Sequence, residues 1–211
     1  MTKAIIQCSS SKRGQPFKWE GRKIKFVAHP ELCESTADLL FAHPDNQIPG
    51  QSKTWRDLVI DQSAMENCLR AADLYEPSIY KELASSLGYE NTFILSAGWG
   101  LVRGDFRLPD YDITFSTQGV EKSKRRGKRD QFKDLNQLPS SEDDCVIFAG
   151  KAYLPLINQL TANYSGLRIC YYKSENFVRD AGIEYCYFET NRRTNWHYDA
   201  AKSFLSDLRA N

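Results

Sequence analysis

The apolar positions of this chain fall into short runs separated by polar, glycine- or proline-containing turns. Ala4–Gln7, Thr92–Leu95, Asp144–Ala149, Leu167–Tyr171 and Ile183–Phe188 are each too short for a helix and bounded by turn residues, which predicts buried strands. Lys23–Ala28 alternates charged and apolar residues, as a half-exposed strand does. Between these runs the period changes. Ser52 stands as an N-cap before a helix expected from Lys53 to about Ala72, with Trp55, Leu58, Val59, Met65 and Leu69 on its apolar face. A second helix is predicted from about Pro77 to Leu87, with Gly88 just past its end, and a third begins after Gly150 and ends near Gly166. Trp196, Ala200, Phe204 and Leu208 mark a final helix opening at Thr194 or Asn195.

Strands alternating with helices imply an α/β fold: a three-layer sandwich around a mostly parallel central sheet. The 211 residues favour one domain spanning the whole chain, interrupted by an irregular insertion at about 16–57. Composition agrees, with 41% hydrophobic and 26% charged residues. A net charge of +1 gives no global attraction to nucleic acid or membrane. No apolar run approaches membrane-spanning length, and Met1–Ile6 does not read as a signal peptide. The six cysteines form no C-x-x-C pair, so all are expected to be reduced, metal-free and cytoplasmic, in a monomer.

In an open parallel sheet, ligands bind beyond the carboxyl ends of the strands. Three such ends carry chemistry. Gln7, Cys8, Ser9, Ser10, Lys12 and Arg13 offer hydroxyls, amides and cations to a phosphate or carboxylate, although a solvated polar loop has the same composition. Ser96, Gly98, Trp99 and Gly100 would let the backbone approach a ligand under a flat indole, followed by Tyr111, Asp112 and Phe115. Asp110 and Asp112 should point to opposite sides of an extended stretch. Asp112, between Tyr111 and Ile113, is expected to be the more desolvated and therefore the better base; a salt-bridged or capping Asp is the bland alternative. Gly150, Lys151 and Tyr153 open the third loop at a helix start.

Electrostatics adds one further feature. Lys122, Lys124, Arg125, Arg126, Lys128 and Arg129 concentrate positive charge in one run, as a phosphate-backbone contact would, and Arg192 and Arg193 offer a second cationic edge. Solvated charge runs look the same.

Taken in order, C-S-S-S-K (Cys8–Lys12), A-x-x-L-Y (Ala71–Tyr75), I-L-S-A-G-W-G-L-V (Ile94–Val102), P-x-Y-D-I-T-F (Pro109–Phe115) and F-A-G-K-x-Y-L (Phe148–Leu154) resemble a family of uncharacterised bacterial and phage proteins. That family is similar to the lysine-transferring domain of archaeosine synthase, and both resemble the uracil-DNA glycosylase superfamily in architecture. The resemblance covers roughly residues 3–15 and 71–157. It implies a pocket that processes a nucleobase, and a related class acts in phage defence by removing bulky modified cytosines. The chain lacks the G-Q-D-P-Y and H-P-S-P motifs of uracil excision and departs from the K-P-Y-S run of archaeosine synthase.

The expectation is therefore a cofactor-free DNA glycosylase for an unusual base, such as a glucosylated hydroxymethylcytosine. In it Asp112 and Lys12 would be catalytic and Trp99 and Tyr111 would stack on the flipped base. The alternatives are a transferase acting on a deazaguanine, a non-catalytic DNA- or nucleotide-binding module of a stress or defence system, and a small-molecule nucleoside hydrolase or transferase that would not need the basic run.

Overall fold

The computed structural model describes residues 1–127, 129–174 and 177–210. Strand β1 (Lys3–Gln7) is followed by β2 (Phe17–Trp19), β3 (Arg22–Val27) and β4 (Leu39–Ala42). Helix α1 (Trp55–Asp61), strand β5 (Leu69–Arg70) and helices α2 (Ala71–Leu74) and α3 (Ile79–Leu87) lead into β6 (Thr92–Ser96). Short strands β7 (Gly100–Arg103), β8 (Arg107–Leu108), β9 (Tyr111–Asp112) and β10 (Leu135–Asn136) come next. The chain closes with β11 (Cys145–Phe148), α4 (Leu154–Leu160), β12 (Arg168–Tyr172), β13 (Glu184–Tyr187) and α5 (Trp196–Ala210).

The main sheet has seven strands in the order β10-β7-β6-β1-β11-β12-β13. Strands β6, β1, β11, β12 and β13 are mutually parallel; β7 turns back antiparallel to β6, and β10 pairs with it. Ala4, Ile5 and Ile6 of β1 are wholly buried, which is why that strand reads as an unbroken apolar run. Helices α3 and α5 pack on each other, α3 against β1 and β6 and α5 against β11 and β12. From β1 the chain moves to one side, toward β6, whereas from β11 it moves to the other, toward β12. The strand order therefore reverses between β1 and β11, which is where an α/β sheet opens a crevice.

Two expectations are corrected. The stretch 16–57 is not irregular. It supplies β2, β3 and β4, which form a second sheet completed by β9. Phe26 of β3 packs on Trp55 at 5.8 Å and on Trp99 at 5.1 Å, joining the small sheet to the main core. The predicted helix over Lys53–Ala72 is also divided. Thr54, not Ser52, caps α1 through a reciprocal capping box with Asp57. Gln62 ends it at φ 62°, and Leu69 is drawn into a ladder with Leu108. Among the described residues no helix is long and apolar enough to cross a membrane.

Candidate functional site

A cavity of about 900 Å³ opens at the reversal in strand order, a volume suited to a nucleotide-sized ligand. The loops after β1 and β11 meet there. The Gln7 side-chain oxygen accepts the Gly150 amide at 2.6 Å, and the Cys8 thiol lies 3.2 Å from the Tyr153 hydroxyl. Ser9, Ser10, Lys12 and Lys151 line the same space.

Lys12 reaches inward over the Tyr111 ring, 4.2 Å from its centroid, and its ammonium donates to the Tyr111 carbonyl at 2.7 Å. Burial lowers its pKa from the ordinary lysine value, and the neighbouring Cys8, Asp110 and Asp112 only partly oppose that shift. A lysine in this setting gives up its proton more readily than one in water. Asp112 stands on the cavity wall with Lys124 at 2.9 Å and Lys25 at 3.6 Å. The pairing of β9 with β3, Val27 opposite Asp112, fixes its position.

The expectation that Asp112 is the desolvated member of the Asp110–Asp112 pair is reversed. Asp112 has 38% of its side chain exposed. Asp110 is the carboxyl raised above its usual range, by burial, with Lys12 and the Tyr111 amide drawing it back. Asp110 packs closely against Gly14, whose missing Cβ would sit 3.0 Å from the Asp110 Cβ.

Other expected site residues lie elsewhere. Trp99 is fully buried, packed between Phe26 and the Arg56 guanidinium, and does not line the cavity. An indole with apolar neighbours on offer gains more from the core than from a solvent-facing wall. Ser96 uses its hydroxyl to accept the amides of Gly98 and Trp99, closing the β6–β7 turn. Gly100, at φ +91°, permits the Leu135 backbone to pass where a Cβ would stand. The glycines therefore serve close chain packing. Tyr111 lies under the cavity, hydrogen-bonded to the Tyr75 hydroxyl at 2.8 Å, and Phe115 packs against Tyr153 and Arg126. Arg13 turns away to the Glu76 carbonyl.

The basic run is largely turned inward. Arg126 forms a two-pronged pair with Asp134, at 2.8 and 2.5 Å, and also donates to the Ala97 carbonyl. Arg125 holds the Val120 carbonyl, and Lys124 holds Asp112. Lys122 and Arg129 are exposed outside the cavity, and Lys128 lies outside the described residues. Arg192 pairs with Asp199 at 3.1 Å, whereas Arg193 lines the cavity.

Sequence reasoning noticed His197 only as a polar neighbour of Arg193, and missed the rest of the cavity's far end: Tyr172 at the end of β12, Lys173 after it, and Trp196 and Tyr198 at the start of α5. The strand-end rule applied to β12 would have pointed to the first two. The α5 residues were hidden in an amphipathic helix pattern. Among the described residues no cluster of three or more His, Cys, Asp or Glu side chains is placed to hold a metal ion.

Fold and site together define an α/β protein with a mixed-charge cavity at the sheet's reversal point. Residues 50–170 match the model of a family of unknown function, DUF6884, and the chain belongs to that family. No curated protein and no solved structure matches it.

Proposed function

We propose that this chain hydrolyses the N-glycosidic bond of an unusual or modified nucleobase carried in DNA, on a fold like that of the uracil-DNA glycosylase superfamily. The observation that carries this reading is the Asp112 carboxylate held by two lysines on the wall of a nucleotide-sized cavity, with the buried Lys12 in the same space. Cleavage of a glycosidic bond leaves its electron pair on the base and positive charge on the sugar. Asp112 stabilises that charge and takes a proton from the water whose oxygen bonds to the sugar carbon. Lys12, an ammonium made more acidic by burial, gives its proton to the departing base. Solvent then returns the proton from Asp112 to Lys12. Trp196 and Tyr153 take over the stacking role first assigned to Trp99 and Tyr111, because they line the cavity and those two do not.

The test is strand breakage at abasic sites. DNAs carrying plain, uracil, hydroxymethylated, glucosylated and deazaguanine bases are incubated with the protein and then treated with alkali. Breaks confined to one modified DNA, and lost in Asp112→Asn, are the expected result. Intact strands throughout the panel overturn the reading.

A second reading, hydrolysis of a free nucleotide, is favoured by one observation: Arg125 and Arg126 are spent on internal partners and are not free to grip a duplex. Base release from a nucleoside monophosphate, with no breaks in any DNA, would select it.

A further inference from the structure

The end of the cavity formed by β12 and the start of α5 holds a different set of groups. Lys151, Lys173 and Arg193 all line it. Among the described residues Lys151 and Arg193 make no hydrogen bond or ion pair, while the Lys173 ammonium donates to the Arg192 carbonyl. Among the described residues the acids lining the cavity are Asp112 and Glu121, and both are engaged by Lys124. Asp199, on the first turn of α5, is engaged by Arg192. Among the described residues this end therefore carries an excess of positive charge.

The 15-residue helix α5 begins here, and the amides of Trp196 and His197 have no partner among the described residues. Such amides, with the positive end of the helix dipole, attract an anion. An independent observation points the same way. His197 lines the cavity, is 3% exposed, and its Nε2 has no hydrogen-bond partner among the described residues. Buried polar nitrogens in folded proteins are nearly always satisfied; this one is closed off from the cavity as the ring now stands, so a ligand oxygen meets it only when the imidazole turns toward the cavity that the residue lines. Its ring neighbours are Trp196 and Tyr198, which bring no carboxylate against it.

We propose that this end of the cavity is a phosphate-binding subsite that seats the phosphate of a nucleotide unit. It is built from Arg193, Lys151, Lys173, the first amides of α5 and His197. A flat carboxylate offers two oxygens in one plane. A tetrahedral phosphate offers several oxygens in different directions, which matches donors arriving from β11, β12 and α5 together. Burial keeps the His197 imidazole neutral at pH 7, and a neutral ring still carries one N–H that can donate to an anionic oxygen. The inference deepens the nucleobase reading and rests on it only for the nucleoside part of the ligand. The phosphate can belong to a polynucleotide backbone or to a free nucleotide.

Titration calorimetry on the full chain separates these cases, using inorganic pyrophosphate, a nucleoside 5′-monophosphate, the same nucleoside without phosphate, and a dinucleoside phosphodiester. The expected result is that pyrophosphate binds and that the monophosphate binds at least about tenfold more tightly than the nucleoside. Arg193→Gln should bring that preference within about threefold, and Lys202→Gln, on the exposed side of α5, should leave it intact. His197→Gln, which keeps a donor, should retain more of the preference than His197→Leu. Arg193 is an exposed loop residue, so its variant remains informative even if His197→Leu fails to fold. A phosphodiester bound as tightly as the monoester assigns the site to a polynucleotide backbone; retention of the monoester alone assigns it to a free nucleotide. Equal affinity for nucleoside and monophosphate, or an unchanged preference in Arg193→Gln, overturns the subsite. Loss of base release with the phosphate preference intact would sink the hydrolase reading and leave this one standing.

Discussion

The Lys124 ammonium lies 2.9 Å from the Asp112 carboxylate, at the end of a chain excursion that leaves β9 and returns through a 3-10 turn at Lys122–Lys124. Lys25 approaches the same carboxylate from β3. Asp112 is thus held in place from two separate parts of the chain, while 38% of its side chain remains open to the cavity and solvent. An ion pair this exposed adds at most about 1 kcal/mol to stability.

Asp112→Asn should lower the single-turnover rate of base release by roughly 10²–10³-fold, the usual loss on removing one pre-oriented electrostatic group. Ligand affinity should stay within about threefold, since a rate effect of this kind is confined to the transition state. A variant that turns over like the parent would remove Asp112 from the chemistry.

Gly100→Ala should destabilise the fold by about 1–3 kcal/mol from backbone conformation alone. A further cost comes from contact, because its Cβ would stand 2.4 Å from the Leu135 carbonyl oxygen. Urea unfolding reads the loss directly. Wild-type stability would mean that β7 and β10 separate at little cost.

Arg126→Met should cost about 3–5 kcal/mol, because it strands a buried carboxylate. Both Arg126 and Asp134 side chains are at least nine-tenths buried. Lys122→Met, in the same basic run but exposed, should change stability by less than about 0.5 kcal/mol. Similar losses for the two, measured by chemical denaturation, would contradict the division of this run into internal and surface members.

His197 gives a pH dependence with a definite sign. Burial depresses its pKa from 6.5 to about 4, so between those values the unfolded chain binds a proton that the folded chain refuses. Stability should therefore be full above pH 6.5, fall as the pH drops toward 4, and lose no more from this group below that. The span corresponds to an order of magnitude of 3 kcal/mol. His197→Gln should flatten the slope in that window, and an unchanged slope would show that His197 takes up its proton without unfolding.

Strands β1, β6 and β11 were legible in the sequence because burial on both faces leaves short runs of apolar residues. Trp99 was not, since glycines on either side suit a ligand wall and a tight turn equally. Its real neighbours, Phe26 and Arg56, are distant in sequence, and no local period records them. Arg126 likewise finds Asp134 eight residues on through an irregular loop, a spacing that belongs to no regular element. The loops at Cys8–Lys12 and Gly150–Tyr153 could be placed because the strand-end rule needs only strands to locate them.

The pairing of Val27 with Asp112 has a wider consequence when set beside the extent of the family match. Asp112 and Lys124 fall within residues 50–170, but Lys25 and Lys12 precede that stretch and Arg193 and His197 follow it. The two ends of the cavity therefore draw on stretches of chain inside and outside the family match. A fragment limited to residues 50–170 would keep Asp112 and Lys124 but lose Lys25, Lys12, Arg193 and His197, so the cavity needs the flanks to be whole.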